Sequence, residues 1–170
     1  MSRIHVCALS LIDETARATG AASLITLLSP GTPVARPRSI AADRHLYLSI
    51  SDIVAPSEGQ VLADDAHVRE LLDFVRGWDR VSPIIIHCYA GVSRSTAAAF
   101  ITACAINPDG DEAEIAQRLR AASPTATPNL HLVALADALL GREGRMVEAI
   151  KAIGRGEECF EGVPFALEIA

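Results

Sequence analysis

One stretch constrains this chain more than any other: Ile84-Ile85-Ile86-His87-Cys88-Tyr89-Ala90-Gly91-Val92-Ser93-Arg94-Ser95, continuing into Thr96-Ala97-Ala98-Ala99-Phe100-Ile101. The apolar run after Pro83 reads as a buried strand, and the small-residue stretch after the loop reads as a central helix, apolar nearly all round. Between them a short loop turns the chain from strand to helix. There the first helical amides are unpaired and the helix dipole favours negative charge, so a cysteine at the strand's end is biased towards thiolate. Five residues separate Cys88 from Arg94 and none is proline, so every one carries an N–H that can turn inward. Gly91 relieves the backbone where φ has to be positive. Arg94 supplies a planar fork matched to two oxygens of an oxyanion, which a lysine does not copy. Ser95 is placed to donate its hydroxyl to the sulfur, and His87 to hold the loop through its ring. The pattern describes a cradle for a tetrahedral anion with a nucleophile at its floor.

The rest of the chain supplies a frame for that junction. Arg3–Leu9, Ser23–Leu28 and His45–Ile50 read as strands. Ser10, with Asp13 three positions on, is the expected cap of a short helix to about Ala18, stopped by Gly20. Val68, Leu71, Leu72, Val75 and Trp78 recur at helical spacing in a segment starting at Asp64 or Asp65. A helix from about Val92 to Ile106 is broken by Pro108-Asp109-Gly110. Asp111 with Glu114 caps the next, to about Ala122. Thr127 is the expected cap of a further helix with Pro128 at its first position and Gly141 at its end. A last helix spans about Glu143–Ile153, and no element is assigned from Gly154 onwards. Strands alternating with helices, then a helical last third, predict an α/β fold: a central, mostly parallel sheet of four or five strands with helices on both faces, as one domain over residues 1–170.

With half of its 170 residues hydrophobic but only 4% aromatic, the chain is expected to build an aliphatic core. A net charge of −6 leaves no basic footprint for nucleic acid, so an anion site must be made locally. No apolar run is long enough for a membrane span, and Met1–Val6 lacks the layout of a secretion signal. The expectation is a soluble cytoplasmic protein. The four cysteines, Cys7, Cys88, Cys104 and Cys159, stand at wide spacings that argue against a zinc site or a disulfide framework. Cys104 reads as core filling, and His5, His45, His67 and His131 as structural or solvated.

His87-Cys88-x-x-Gly91-x-Ser93-Arg94-Ser95 resembles the HCxxGxSRS signature of the cysteine-dependent protein tyrosine phosphatases, and its Gly-x-Ser-Arg-Ser ending is most similar to the dual-specificity subgroup. The resemblance covers residues 3–140 and leaves the tail outside. It implies a phosphate monoester hydrolase of that fold, needing no metal or other cofactor, in which Cys88 forms a phosphocysteine that water then hydrolyses. Tyr89, Ala90, Gly91, Val92, Ser93 and Arg94 form its phosphate loop, open to phosphate, sulfate or vanadate. It also implies an aspartate on a separate loop that protonates the leaving oxygen. Asp52, just after the His45–Ile50 strand, fits that place; Asp43, Asp64, Asp65, Asp73 and Asp79 are its rivals. Asn129, in a segment similar to one that braces the phosphate loop, is the implied support, beside His87. Tyr89 and Val92 shape the pocket, and Arg36-Pro37-Arg38 and the segment after Asp52 are its expected walls. The implied partner is a phosphorylated protein or a small phosphate ester. A phosphoinositide, inositol phosphate or nucleotide is the second reading, weakened because the loop holds none of the lysines that relatives acting on phosphoinositides often carry. A phosphate-binding pseudophosphatase is the third. The mid-chain loop separates the protein from low-molecular-weight phosphatases and arsenate reductases, and the Ser-Arg-Ser ending and Asp52 separate it from rhodanese-like sulfur transfer.

Overall fold

The computed structural model describes residues 2–169. Its sheet has five strands, β1 (Arg3–Ala8), β2 (Ser23–Leu28), β3 (His45–Ser49), β4 (Ile84–Cys88) and β5 (Phe165–Glu168), in the order β3-β2-β4-β1-β5. β1 to β4 are parallel, and β5 returns antiparallel on the edge of β1. The expected α/β class and mostly parallel sheet are what the chain forms. β4 lies between β2 and β1 and is buried along its whole length, which is why it reads as an unbroken apolar run rather than an alternation.

The two faces carry helices unequally. Ile4, Val6, Ile25, Leu27, Ile84 and Ile86 point into the larger core, against α2 (Asp65–Arg76), α3 (Arg94–Ile106), α4 (Glu112–Ala122), α5 (Leu130–Leu140) and α6 (Arg145–Ile153). Cys7, Leu24 and Ile85, one register step away, face a smaller core with Ile12 and Ala16 of α1 (Ile12–Thr19) and Ile40. α3 is buried from Arg94 to Cys104, as its all-round small and apolar sequence requires. Behind it, buried Glu112 and Arg142 pair at 2.7 Å while Arg142 also donates to the Cys104 carbonyl. This pair fastens α4 and the end of α5 to α3.

Several boundaries differ from expectation. Ser10 does not cap α1: a single turn of tighter helix, Leu9–Leu11, intervenes, and the Ser10 hydroxyl donates to Glu161 instead. Thr127 does not cap α5. The cap is Asn129, whose side-chain oxygen accepts from the Leu132 N–H, while Thr127 is drawn away by a bond from its own N–H to the Val92 carbonyl. Pro128 thus precedes the helix. α3 starts at Arg94 because Val92 and Ser93 belong to the loop, and α6 starts at Arg145, its first amides taken by the Asp137 carboxylate. Asp64 caps α2 in a reciprocal bond with His67, and Asp111 caps α4. The unassigned tail contains β5.

Candidate active site

The carboxyl ends of the four parallel strands converge on the loop after β4, the place where open α/β sheets receive ligands. Each contributes. Leu9, after β1, donates its N–H to the Tyr89 carbonyl at 3.1 Å. Ser29, after β2, and Ile50, after β3, both accept from Arg94. β4 ends in Cys88 itself. Gly91 passes so close to β1 that a Cβ there would lie 2.9 Å from the Cys7 carbonyl carbon, and its φ of +71° is left-handed. Glycine is needed at Gly91 on both counts.

The loop's carbonyls are held from outside. The Cys88 carbonyl accepts from the His87 ring, Tyr89's from Leu9, Ala90's from Gly162 at 2.8 Å, Val92's from Thr127 at 2.9 Å, and Ser93's from Asn129 at 3.2 Å. Across a trans peptide the C=O and the next N–H point opposite ways. Outward carbonyls therefore turn the N–H groups of Tyr89, Ala90, Gly91, Ser93 and Arg94 to the inner side. The cradle is formed by the surroundings of the loop rather than by the loop alone.

Cys88, 3% exposed, lies with its Sγ 3.1 Å from the Ser95 hydroxyl. Arg94, 7% exposed, is held by Nη1 donating to the Ile50 carbonyl at 2.9 Å and to Ser29 at 3.3 Å, while its Nε is buried with no hydrogen-bond partner among the described residues. An orphaned buried donor of this kind costs about 1–3 kcal/mol, which an oxyanion would recover.

Asp52 accepts at one carboxylate oxygen from the Ser93 hydroxyl at 2.8 Å and from the Asn129 amide at 2.9 Å. Asn129 also donates to the Ile53 carbonyl. One asparagine thus caps α5 with its oxygen, holds the Asp52 segment with its amide and holds the loop with its backbone N–H. Of the rival aspartates, Asp64 caps α2, Asp65 opens that helix, and Asp79 pairs with Arg44 at 2.7 Å. Asp43 and Asp73 line a separate hollow with Trp78.

His87 is fully buried, and sequence reading missed its partners. The Thr26 hydroxyl lies 2.7 Å from His87 Nε2 and 2.8 Å from His45 Nε2. His87 Nδ1 donates to the Cys88 carbonyl, so in the neutral ring Nε2 accepts from Thr26, whose oxygen then accepts from His45. One direction of protons runs through all three side chains, and it requires a neutral His87. The sequence signal was Thr26, a hydroxyl in the middle of a wholly buried strand. Burial above all, then the nearby His45 and Arg94 charges, pushes His87 down to about 4, against an opposing pull from the Cys88 carbonyl. An unfolded histidine titrates near 6.5, so the unfolded chain binds a proton first. The stabilisation is complete above about pH 6.5 and is lost as pH falls towards 4, amounting to about 3 kcal/mol. Denaturant midpoints measured from pH 7 to 4 should show this loss in the wild type and lack it in His87→Gln. Parallel curves would remove the assignment.

Beside the loop, Asp52, Val92, Ser93, Thr127, Arg155, Glu157, Glu158 and Cys159 line a groove of about 420 Å³. The Arg36–Arg38 segment does not wall it. Arg36 is turned onto the Ile40 carbonyl, and Pro37 and Arg38 line a hollow against Asp13, Ala16 and Arg17. The wall comes from the tail. Tyr89 is 62% exposed and stands outside the lining.

No family model and no curated protein matches the chain. Solved structures do match its fold. Human DUSP28 superposes with a TM-score of 0.61 at 18% identity, over 88% of this chain and 94% of its own. The PTP-2 phosphatase of Cydia pomonella does so at 0.62 and 20%, over 79% of this chain and 84% of its own. PTPMT1, in complex with PI(5)P, does so at 0.57 and 13%, over 88% and 92%. The chain has the fold of the dual-specificity-like, cysteine-dependent phosphatases. Its described helices include none long and apolar enough to cross a membrane.

Proposed function

We propose that the protein hydrolyses phosphate monoesters through a phosphocysteine, acting on phosphorylated protein. The observation that carries this reading is the cradle: inward amides around Cys88, with a buried Arg94 whose Nε has no partner among the described residues. An ester oxyanion enters with its oxygens on those amides and on the guanidinium. The Cys88 thiolate forms a bond to phosphorus as the P–O bond to the leaving group breaks, and Asp52 gives its proton to the departing oxygen. Water then attacks the phosphocysteine, Asp52 takes the water's proton, and the sulfur leaves as thiolate. The Ser95 hydroxyl, 3.1 Å from Sγ, stabilises that departing charge.

The groove beside Asp52 is where the leaving group sits. It holds the carboxylates of Asp52, Glu157 and Glu158 against one cation, Arg155, which itself lies 3.9 Å from Glu158. A phosphoinositide headgroup, with its diester phosphate beyond the reacting phosphorus, meets net repulsion there; a peptide without acidic neighbours to its phosphate meets none. That favours protein over phosphoinositide substrates, although one structure of similar fold was solved with PI(5)P. The test is phosphate release from p-nitrophenyl phosphate, phosphotyrosyl and phosphoseryl peptides, and PI(5)P at mildly acidic pH. Peptides should be turned over faster than PI(5)P. Failure on every monoester would overturn the reading, and sulfur transfer from thiosulfate would replace it. In the same assay Arg94→Lys should lower the rate by about 10²–10³ and weaken vanadate inhibition with it, because a point charge loses the two-oxygen fork.

A further inference from the structure

We propose that the C-terminal strap, residues 154–164, is part of the catalytic apparatus, with Gly162 as the positioning residue that sets the Gly91 amide; the proposal rests on the phosphatase reading above. The strap leaves α6 at Ile153, crosses the flank of the loop and feeds β5. It is pinned along its length. Arg120 donates to the Gly154 carbonyl at 2.7 Å, the Gly156 N–H to Thr127 Oγ1 at 3.0 Å, and the Glu157 N–H to the Pro124 carbonyl at 2.9 Å. Ser10 donates to Glu161, and β5 pairs with β1.

Three of the outward loop carbonyls are held by backbone N–H groups of Leu9, Thr127 and Asn129, next to β1 and α5. The Ala90 carbonyl is held by Gly162. This bond fixes the Ala90–Gly91 peptide plane, and through that plane the inward direction of the Gly91 N–H. Without it the plane is free to rotate. A rotated plane withdraws an N–H from the oxyanion and offers it a carbonyl oxygen instead. Gly162 is buried, and a Cβ on it would lie 2.9 Å from the Gly91 carbonyl oxygen. Its φ is not among the left-handed ones, so what excludes a side chain is room. The same strap supplies Arg155, Glu157, Glu158 and Cys159 to the groove, so one segment sets both an amide of the cradle and the wall beside it.

The test is vanadate affinity and steady-state kinetics on p-nitrophenyl phosphate, at a temperature well below the unfolding midpoint of each variant. Gly162→Ala should weaken vanadate binding about five- to tenfold and lower kcat/KM at least as much. Ser10→Ala, which frees the strap one residue away while leaving the loop untouched, should shift both in the same direction by about two- to threefold. It decides the matter if Gly162→Ala fails to fold. A lowered midpoint with unchanged vanadate affinity and kcat/KM would make the strap merely structural and overturn the proposal. Wild-type protein that binds vanadate but hydrolyses no monoester would remove the phosphatase reading while leaving the strap's effect on the cradle measurable. Wild-type protein without vanadate affinity would overturn both.

Discussion

Cys88→Ser is expected to lower turnover of any phosphate monoester by on the order of 10⁴ or more while leaving phosphate bound in the loop. The two outcomes come from different atoms. Turnover needs the sulfur, because a serine hydroxyl at neutral pH is not ionised and nothing beside position 88 is placed as its base. Binding needs the amides of Tyr89, Ala90, Gly91, Ser93 and Arg94 and the guanidinium, all held by partners that the substitution does not touch. No other buried thiol takes over. Burial pushes Cys7 up to about 11 and Cys104 up to about 12, so both stay protonated. Calorimetric titration with phosphate, beside a phosphate-release assay, separates the two effects. Retained turnover would sink the phosphocysteine mechanism, and lost binding would show that the cradle depends on the sulfur.

Asp52→Ala should slow the hydrolysis of an alkyl phosphate by about 10²–10⁴ and that of p-nitrophenyl phosphate far less. An alkoxide is a poor leaving group and needs a proton as the bond breaks; p-nitrophenolate leaves nearly unaided. Alanine also strips the Ser93 hydroxyl and the Asn129 amide of their shared acceptor, so loosening of the loop has to be told apart from loss of the acid. Asp52→Asn keeps an oxygen for both donors and removes only the acid, so it should show the same dependence on the leaving group. An alkyl phosphate cleaved at the wild-type rate by both variants would reassign the proton donor.

The loop after β4 was legible because its requirements are local. A nucleophile at a strand's end, a fork six residues on and a glycine between them are all written within one short stretch. Asp52 was reachable only through the resemblance, since nothing near it says that Ser93 and Asn129 will share its oxygen. Two of the expected caps failed for the same reason. Ser10 and Thr127 carry the right side chain at the right place, but tertiary contacts claim both residues: Glu161 takes the Ser10 hydroxyl, and the Val92 carbonyl takes the Thr127 backbone N–H. β5 escaped notice because it is four residues long, follows Pro164 and sits on an edge, where little burial marks it. With it went the strap, whose importance lies in backbone N–H groups that every sequence has. Thr26 and His45 were hidden differently: a buried hydroxyl declares that it has a partner without saying which.

Because the carbonyls around the loop are tied back by four separate parts of the chain, the receptacle exists before anything enters it. Little rearrangement accompanies filling, and occupancy becomes a matter of concentration. Inorganic phosphate presents to the same amides almost the same oxygens as the ester did. In the proposed reaction the freed product therefore competes with the next substrate molecule on nearly equal terms, and what distinguishes the two is the part of the substrate lying beyond phosphorus. Selectivity in that reaction, and relief from its product, have to come from the groove that the tail walls in.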